Sequence, residues 1–518
     1  MIIISRYYLE NMLSCLQVLL YGSAFISTIL YITNMLITLI LLPILGALVL
    51  TTMQDSTAAD TSRIKRTALL TTLLTWFLSV IMWAQFDSSF GGYQFVSTGS
   101  LAQPGFLSLR LGVDGLSLYF VILTTFTLPF CILASWENVQ HSIKSFMISF
   151  LVFESFTILV FVVLDVVAFY VAFEAVLIPL FLIVGIWGAT PARVRASFLL
   201  FLYTLFGSLF MLLSFVSLYY ITGTTDIETL STVDLSFDTQ KILWLGIFLS
   251  FAIKTPLVPF HIWLSRAHVE APAAGSMVLA GLVLKLASYG ILRVLIPILP
   301  EATAEFAPLA MAMGAISIVY ASLSCLRQTD FKCLIAMSSV AHMGVVILGL
   351  FSNTVVGIEG AILLSIAHGF VSPAMFFLVG SVMYDRFHSR VIKYYRGLTT
   401  LMPMFSAMFF VFTTANMGTP GISVNWAGEF MCLAGSFQLN PFVTVIGATS
   451  IVLSACYSIF LYNRISFGSY SPYLSWTTDL TRREFMILLT MLIPTVFFGL
   501  YPNLILNDLH FTVSNLIY

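Results

Sequence analysis

Six ionisable side chains lie inside long apolar runs: Glu174 within 169–179, Lys254 within 249–259, Lys285 within 282–287, His342 and His368 each beside an alanine, and Glu429 within 426–430. An ionisable group in such a setting costs several kcal/mol unless it is paired, hydrated or neutralised, so each is a functional candidate by default. Removing a lysine and a carboxylate from water disfavours the charged form of both. A buried Glu–Lys pair can therefore exchange charged and neutral states at modest cost, which is what a proton relay requires. For any one pair the alternative is a structural ion pair locking two helices. Six groups spread along the chain are harder to explain that way. Taken alone, His342 and His368 fit hydrogen-bonded core histidines as well as proton carriers, and nothing places them on facing helices as haem ligands.

The elements that position these groups follow from composition. The chain has 518 residues, 59% hydrophobic and 9% charged, with a mean hydropathy of +1.01. Soluble folds carry about a quarter charged residues, so this chain belongs in a bilayer. At roughly 20 apolar residues per span, apolar runs place helices at 31–50, 67–86, 114–134, 145–164, 166–187, 197–221, 242–262, 272–298, 306–326, 333–351, 357–383, 403–436, 441–463 and 484–506. The run from Phe146 to Trp187 is too long for one helix and is divided near Asp165. Residues 1–30 form an N-terminal extension, in which Asn11 to Leu30 could be an extra span or an interfacial helix. Lys and Arg accumulate on the side from which helices are inserted. Sixteen fall in connections after odd-numbered helices against three, Arg110, Lys241 and Arg293, after even-numbered ones, which supports the count of fourteen.

Prolines add a second signal. Pro256 and Pro259 follow Lys254 and remove backbone hydrogen bonds inside helix 7, while Gly418, Pro420 and Gly421 do the same in helix 12, ahead of Glu429. Broken helices in corresponding places of two halves point to an ion site in an inverted-repeat transporter. Glu174 to Lys254 is 80 residues and His342 to Glu429 is 87. The expected class is therefore an all-α polytopic membrane protein. Helices 1–3 occupy 31–134, two inverted five-helix repeats occupy 145–298 and 306–463, and helix 14 and the C-terminus occupy 484–518.

Other features are plainer. A net charge of −1 without a basic stripe suggests no nucleic-acid partner. The six cysteines form no C-x-x-C pair, which argues against zinc or iron–sulfur ligation. The segment 259–272, with His261, His268 and Glu270, lacks the H-E-x-x-H pattern of a helical zinc site and reads as a polar turn or as the mouth of a proton path. Asp114 reads as the cap of helix 3, and Glu154 and Asp165 as weaker candidates. Residues 1–10 carry one Arg and do not resemble an imported presequence.

Several motifs together carry a family resemblance: Asp165-x4-Tyr170-x3-Glu174-x3-Ile178-Pro179, Lys254-x-Pro256-x2-Pro259-x-His261-x-Trp263, Ala267-His268-x2-Ala271-Pro272, Leu284-Lys285, Ser338-Ser339-x-Ala341-His342-Met343 and Gly428-Glu429-Phe430. They resemble the NADH dehydrogenase subunit 4 family, antiporter-like membrane subunits of respiratory complex I, over about residues 31–515. The resemblance implies a hydrophilic axis in which Glu174 and Lys254 form a coupled pair. Protons would then move along Lys285, His342 and His368 to Glu429. It implies no redox cofactor in this chain, with NADH, FMN, iron–sulfur clusters and ubiquinone held by other subunits. The implied partners are further membrane-arm subunits, including neighbouring antiporter-like ones, together with membrane lipids. A multisubunit cation/proton antiporter or a membrane hydrogenase has a similar core. The implied location is the mitochondrial inner membrane, with a bacterial plasma membrane as the alternative. Ser265 and Arg266 depart from the proline and acidic residue usual in the family.

Overall fold

The computed structural model describes residues 35–98 and 110–517. The 1–30 extension, its candidate helix and the first residues of expected helix 1 lie outside the described residues. Twelve helices among them are long and apolar enough to cross a membrane: α1 Met35–Thr52, α2 Ala58–Gln85, α3 Gly115–Ala134, α4 Ile143–Val162, α5 Val166–Trp187, α6 Arg193–Thr222, α8 Ala273–Ile298, α9 Pro300–Cys325, α10 Phe331–Leu350, α11 Val355–Phe387, α13 Pro441–Ser466 and α14 Arg482–Leu500. Two interrupted helices bring the set to fourteen: α7a Phe237–Lys254 with α7b Ile262–Glu270, and α12a Pro403–Asn416 with α12b Val424–Leu439.

Both interruptions fall where proline and glycine dictate. A helix interrupted inside a membrane must find partners for the backbone groups it frees. At the first break Trp263 Nε1 donates to the Ile253 carbonyl at 2.9 Å, and the Val258 amide donates to Ser317 Oγ at 2.9 Å. At the second, Gly418 and Gly421 hold φ of 74° and 78°, a left-handed conformation that favours glycine. There Ser423 Oγ and Asn425 Nδ2 donate to the Ala415 carbonyl at 3.0 and 3.1 Å. A milder discontinuity divides α5 at Val176, because Pro179 has no N–H to offer the carbonyl of Ala175.

The most deeply buried helices are α8, α10 and α11, which carry Lys285, His342 and His368. Two stretches of α8, Leu279–Val283 and Ile291–Leu295, and one of α11, Leu378–Met383, widen to π turns. Such insertions re-aim side chains and recur at functional sites.

Several expectations are corrected. The segment expected as a polar turn at 259–272 is mostly the helix α7b, and its His268 is fully buried. Its polar residues meet distant partners: Glu270 accepts from Thr190 Oγ1 at 2.6 Å. Ser265 Oγ bonds back to the Ile262 carbonyl at 3.2 Å, and Arg266 is exposed. Arg293 belongs to no connection but is buried inside α8. Helix 2 begins about two turns earlier than the apolar run, because its basic residues lie along the helix and Lys65 Nζ reaches the Trp136 carbonyl at 2.5 Å. Expected helix 14 stops at Leu500, just before Pro502, and an amphipathic helix α15, Asn503–Ile517, follows. A short hairpin of β1 Gln94–Thr98 and β2 Arg110–Val113 precedes α3.

Candidate functional site

Four of the six candidate residues are in line. Lys285, fully buried, follows the first π turn of α8, and its Nζ lies 2.5 Å from the Ala280 carbonyl within that turn. The same ammonium nitrogen is 2.7 Å from His368 Nδ1. The other ring nitrogen of His368, Nε2, is 3.0 Å from Ser339 Oγ on α10. One helical turn further along α10, the ring of His342 lies 5.7 Å from that of His368, centroid to centroid. His342 Nδ1 is 3.1 Å from Glu429 Oε1 on α12b. The order is thus Lys285, His368, His342, Glu429, with the two histidines exchanged relative to the expected sequence of steps. Chain order misleads here because α10 and α11 pack antiparallel, and the later residue faces α8.

Glu429 is buried against the break in α12. A Cβ on Gly418 would stand 3.1 Å from Glu429 Oε2, so the glycine that bends the helix also leaves room for the carboxylate. His342 Nε2 is buried and has no hydrogen-bond partner among the described residues. An acceptor or donor is therefore free on the side of His342 away from Glu429.

Glu174 and Lys254 form a looser pair. They interact electrostatically, yet no nitrogen–oxygen contact of ion-pair length joins them. Lys254 Nζ donates instead to the Phe173 carbonyl at 3.0 Å and sits 3.1 Å from the centre of the Phe173 ring. Glu174 Oε1 is buried without a hydrogen-bond partner, and the Ser208 hydroxyl stands beside its carboxylate. An open pair of this kind can close or open with its charge state, whereas a locked ion pair cannot.

The fold brings two further groups to the axis: Ser339, which the sequence offered only as part of a motif, and His268, which it offered as part of a polar turn or of the mouth of a proton path. Ser339 links His368 to α10. His268, on α7b, stacks on Phe376 with ring centroids 4.4 Å apart and planes 5° from parallel. Both its ring nitrogens are buried without hydrogen-bond partners, and it interacts with the charges of Lys285 and Lys332. Lys332 Nζ in turn donates to the Ala271 carbonyl at 2.7 Å. The signal for His268 was its place in an Ala-His motif. Its burial depends on α11, more than a hundred residues away, which no local pattern reports.

Among the described residues no group of three or more His, Cys, Asp or Glu is placed to hold a metal ion. Within the buried file, Lys285–His368 and His342–Glu429 are two hydrogen-bonded titratable pairs, and the two histidine rings stand next to each other between them.

Comparison with known proteins gives a consistent result. A family model described as NADH:quinone oxidoreductase/Mrp antiporter, TM, matches residues 163–454. The NADH-ubiquinone oxidoreductase chain 4 of Mycosarcoma maydis is 59% identical over 484 residues, which are 93% of this chain and 99% of the relative. That of Arabidopsis thaliana is 46% identical over 480 residues, 92% of this chain and 96% of the relative. Among solved structures, a chain of respiratory complex I from Thermus thermophilus with bound NADH superposes with a TM-score of 0.85 at 28% identity, covering 93% of this chain and 99% of that one. A chain of the Mrp complex from Dietzia shares the fold, with a TM-score of 0.81 at 18% identity over 93% of this chain and 97% of that one.

Proposed function

Because this chain belongs to the NADH:quinone oxidoreductase/Mrp antiporter transmembrane family, we propose that it is the proton-translocating chain 4 subunit in the membrane arm of respiratory complex I. Its place is the mitochondrial inner membrane, among neighbouring membrane-arm and antiporter-like subunits. NADH, FMN, the iron–sulfur clusters and ubiquinone belong to partner subunits. This chain contributes a protonatable path.

The observation that carries this reading is the buried file Lys285, His368, His342, Glu429, with contacts of 2.7 Å at one end and 3.1 Å at the other. Quinone reduction elsewhere in the complex shifts the balance of the open Glu174–Lys254 pair. A change of charge at Lys254 alters the field at Lys285, which passes its proton to His368. The proton continues through His342 to Glu429, and it leaves beside the break in α12. The segments 145–298 and 306–463 act as two half-channels that meet at α8.

Lys254→Met tests the reading. Methionine keeps much of the length and removes the charge. NADH-driven proton uptake and NADH:quinone turnover are measured in vesicles and normalised to complex seen on a native gel. Collapse of pumping with assembly intact supports the relay. Unchanged pumping per assembled complex makes the lysine structural.

A further inference from the structure

Lys285 lies near the middle of α8, and the shortest way along its own helix to the lysine-poor face passes Tyr289 and Arg293, four and eight residues on. Eight residues span about 12 Å. A proton that escaped along that way would bypass His368, His342 and Glu429.

The junction is filled by a fixed set of hydrogen bonds. Arg293 Nη2 donates to Asp114 Oδ1 at 2.6 Å, Nη1 to the Tyr93 hydroxyl at 2.9 Å and Nε to the Tyr289 hydroxyl at 3.1 Å. The Tyr289 hydroxyl donates its own proton to the Phe161 carbonyl at 2.8 Å. The Arg293 and Asp114 side chains are 5% and 6% exposed. Tyr93 and Tyr289 also present their rings to the guanidinium, at 5.0 and 5.5 Å.

The direction of these bonds decides what the cluster can do. A guanidinium is donor-only and does not deprotonate in proteins, so it cannot accept a proton arriving from within. The Tyr289 oxygen already accepts from Arg293, and its hydrogen is committed to a carbonyl that can pass nothing on. Asp114 balances the charge, so the pair remains buried. Cationic groups and arginines serve as proton barriers in other membrane pores.

We infer that the Arg293, Tyr289, Asp114 and Tyr93 cluster is a proton-insulating plug, which closes the lysine-poor face beneath Lys285 and forces its proton along α10 and α11. This rests on the proposed function, and it assigns Arg293 a positioning role in directionality rather than in proton carriage.

The test is passive leak. Assembled complex carrying Arg293→Gln is reconstituted into liposomes, and the decay of an imposed pH gradient is followed with a pH-sensitive dye in the absence of NADH. Glutamine keeps donors toward Asp114 but removes the fixed charge and the fork. The plug predicts a several-fold faster decay, near-normal NADH:quinone turnover, and return to the tight state in the double variant Arg293→Gln/Lys285→Met. A tight single variant, or a leak that persists in the double variant, overturns the inference. If Arg293→Gln does not assemble, Arg293→Lys decides by the same measurement. Its single ammonium cannot fill the Nε and Nη1 places, so a leak abolished by Lys285→Met supports the plug and a tight vesicle overturns it. Lys285→Met alone separates the two claims. If it leaves NADH-driven pumping intact, the proposed function fails. If it stops pumping while Arg293→Gln is tight, only the plug fails.

Discussion

Asp165 and Asp330 make the same connection on opposite faces of the membrane. Asp165 caps α5, accepting from the amides of Val167 and Ala168 at 2.8 and 2.9 Å, and Asp330 caps α10, accepting from those of Lys332 and Cys333 at 2.8 and 3.4 Å. Each also forms a short antiparallel bridge to the chain leaving the following helix. Val166 donates to the Thr225 carbonyl and Ile227 to that of Leu164, while Phe331 donates to Arg390 and Ile392 to Thr329. Every member of the second set lies 165 residues after its counterpart. One faces the lysine-poor side and the other the lysine-rich side, as two inverted repeats require.

Since each aspartate satisfies two amides at a helix start, Asp165→Ala and Asp330→Ala should both lower the thermal stability of the assembled complex, by about 1–3 kcal/mol each. Asparagine in the same places retains an acceptor and should recover most of the loss. Thermal unfolding read as loss of the intact complex on native gels checks this. Equal stability of the alanine and wild-type forms would mean that the caps are dispensable.

His368 is the member of the file with partners on both sides. His368→Leu removes the acceptor for Lys285 and the step toward His342, and loss of a positioned acid–base group costs about 10²–10⁴-fold in proton-transfer rate. NADH-driven acidification per assembled complex should fall accordingly. The variant also leaves Lys285 buried with only the Ala280 carbonyl, which is destabilising. Adding Lys285→Met should therefore restore thermal stability without restoring pumping. Pumping at the normal rate in His368→Leu would remove the histidine from the path.

The bilayer-spanning helices were legible because apolar length and the Lys/Arg alternation are local and redundant. The breaks were legible because Pro256, Pro259, Gly418 and Gly421 act on their own backbone. Pairing across the repeats was harder. The spacing of the charges matched Glu174 with His342 and Lys254 with Glu429, but the offset of 165 at the starts of α5 and α10 places Ser339 opposite Glu174. His342 lies three residues, about one helical turn, beyond that site. Hidden too were α7b, whose polar side chains are satisfied only by distant elements, and the order of the two histidines, which depends on how α10 and α11 face α8.

Glu154 sits fully buried in α4. Thr75 Oγ1 lies 2.6 Å from its Oε1 and 2.8 Å from the Thr72 carbonyl. A hydroxyl has one hydrogen to give. If that hydrogen goes to the carbonyl, the short contact needs a proton supplied by Glu154, as a neutral carboxylic acid. Glu154→Gln mimics that acid in shape and donors, and it should leave pumping and thermal stability within about 0.5 kcal/mol of wild type. Infrared difference spectra of the two forms should differ by one protonated-carboxyl band. Loss of assembly in Glu154→Gln would show that an ionised carboxylate is needed there.

His268 provides the sharpest separation of packing from proton carriage. Its ring is held by stacking on Phe376, and its two unpartnered nitrogens contribute a desolvation cost without a hydrogen bond in return. Phenylalanine keeps the stack and removes both polar atoms. If His268 served packing alone, His268→Phe would hold or gain stability, by about 1–2 kcal/mol, and pump normally. Its place beside Lys285, on the side of Lys332 and the lysine-rich face, argues instead that it feeds the axis. We expect stability to hold and NADH-driven proton uptake per assembled complex to fall at least about tenfold, and His268→Gln to fall equally because an amide takes up no proton. Equal uptake in the phenylalanine variant would leave His268 as a packed aromatic and direct attention to Lys332 alone.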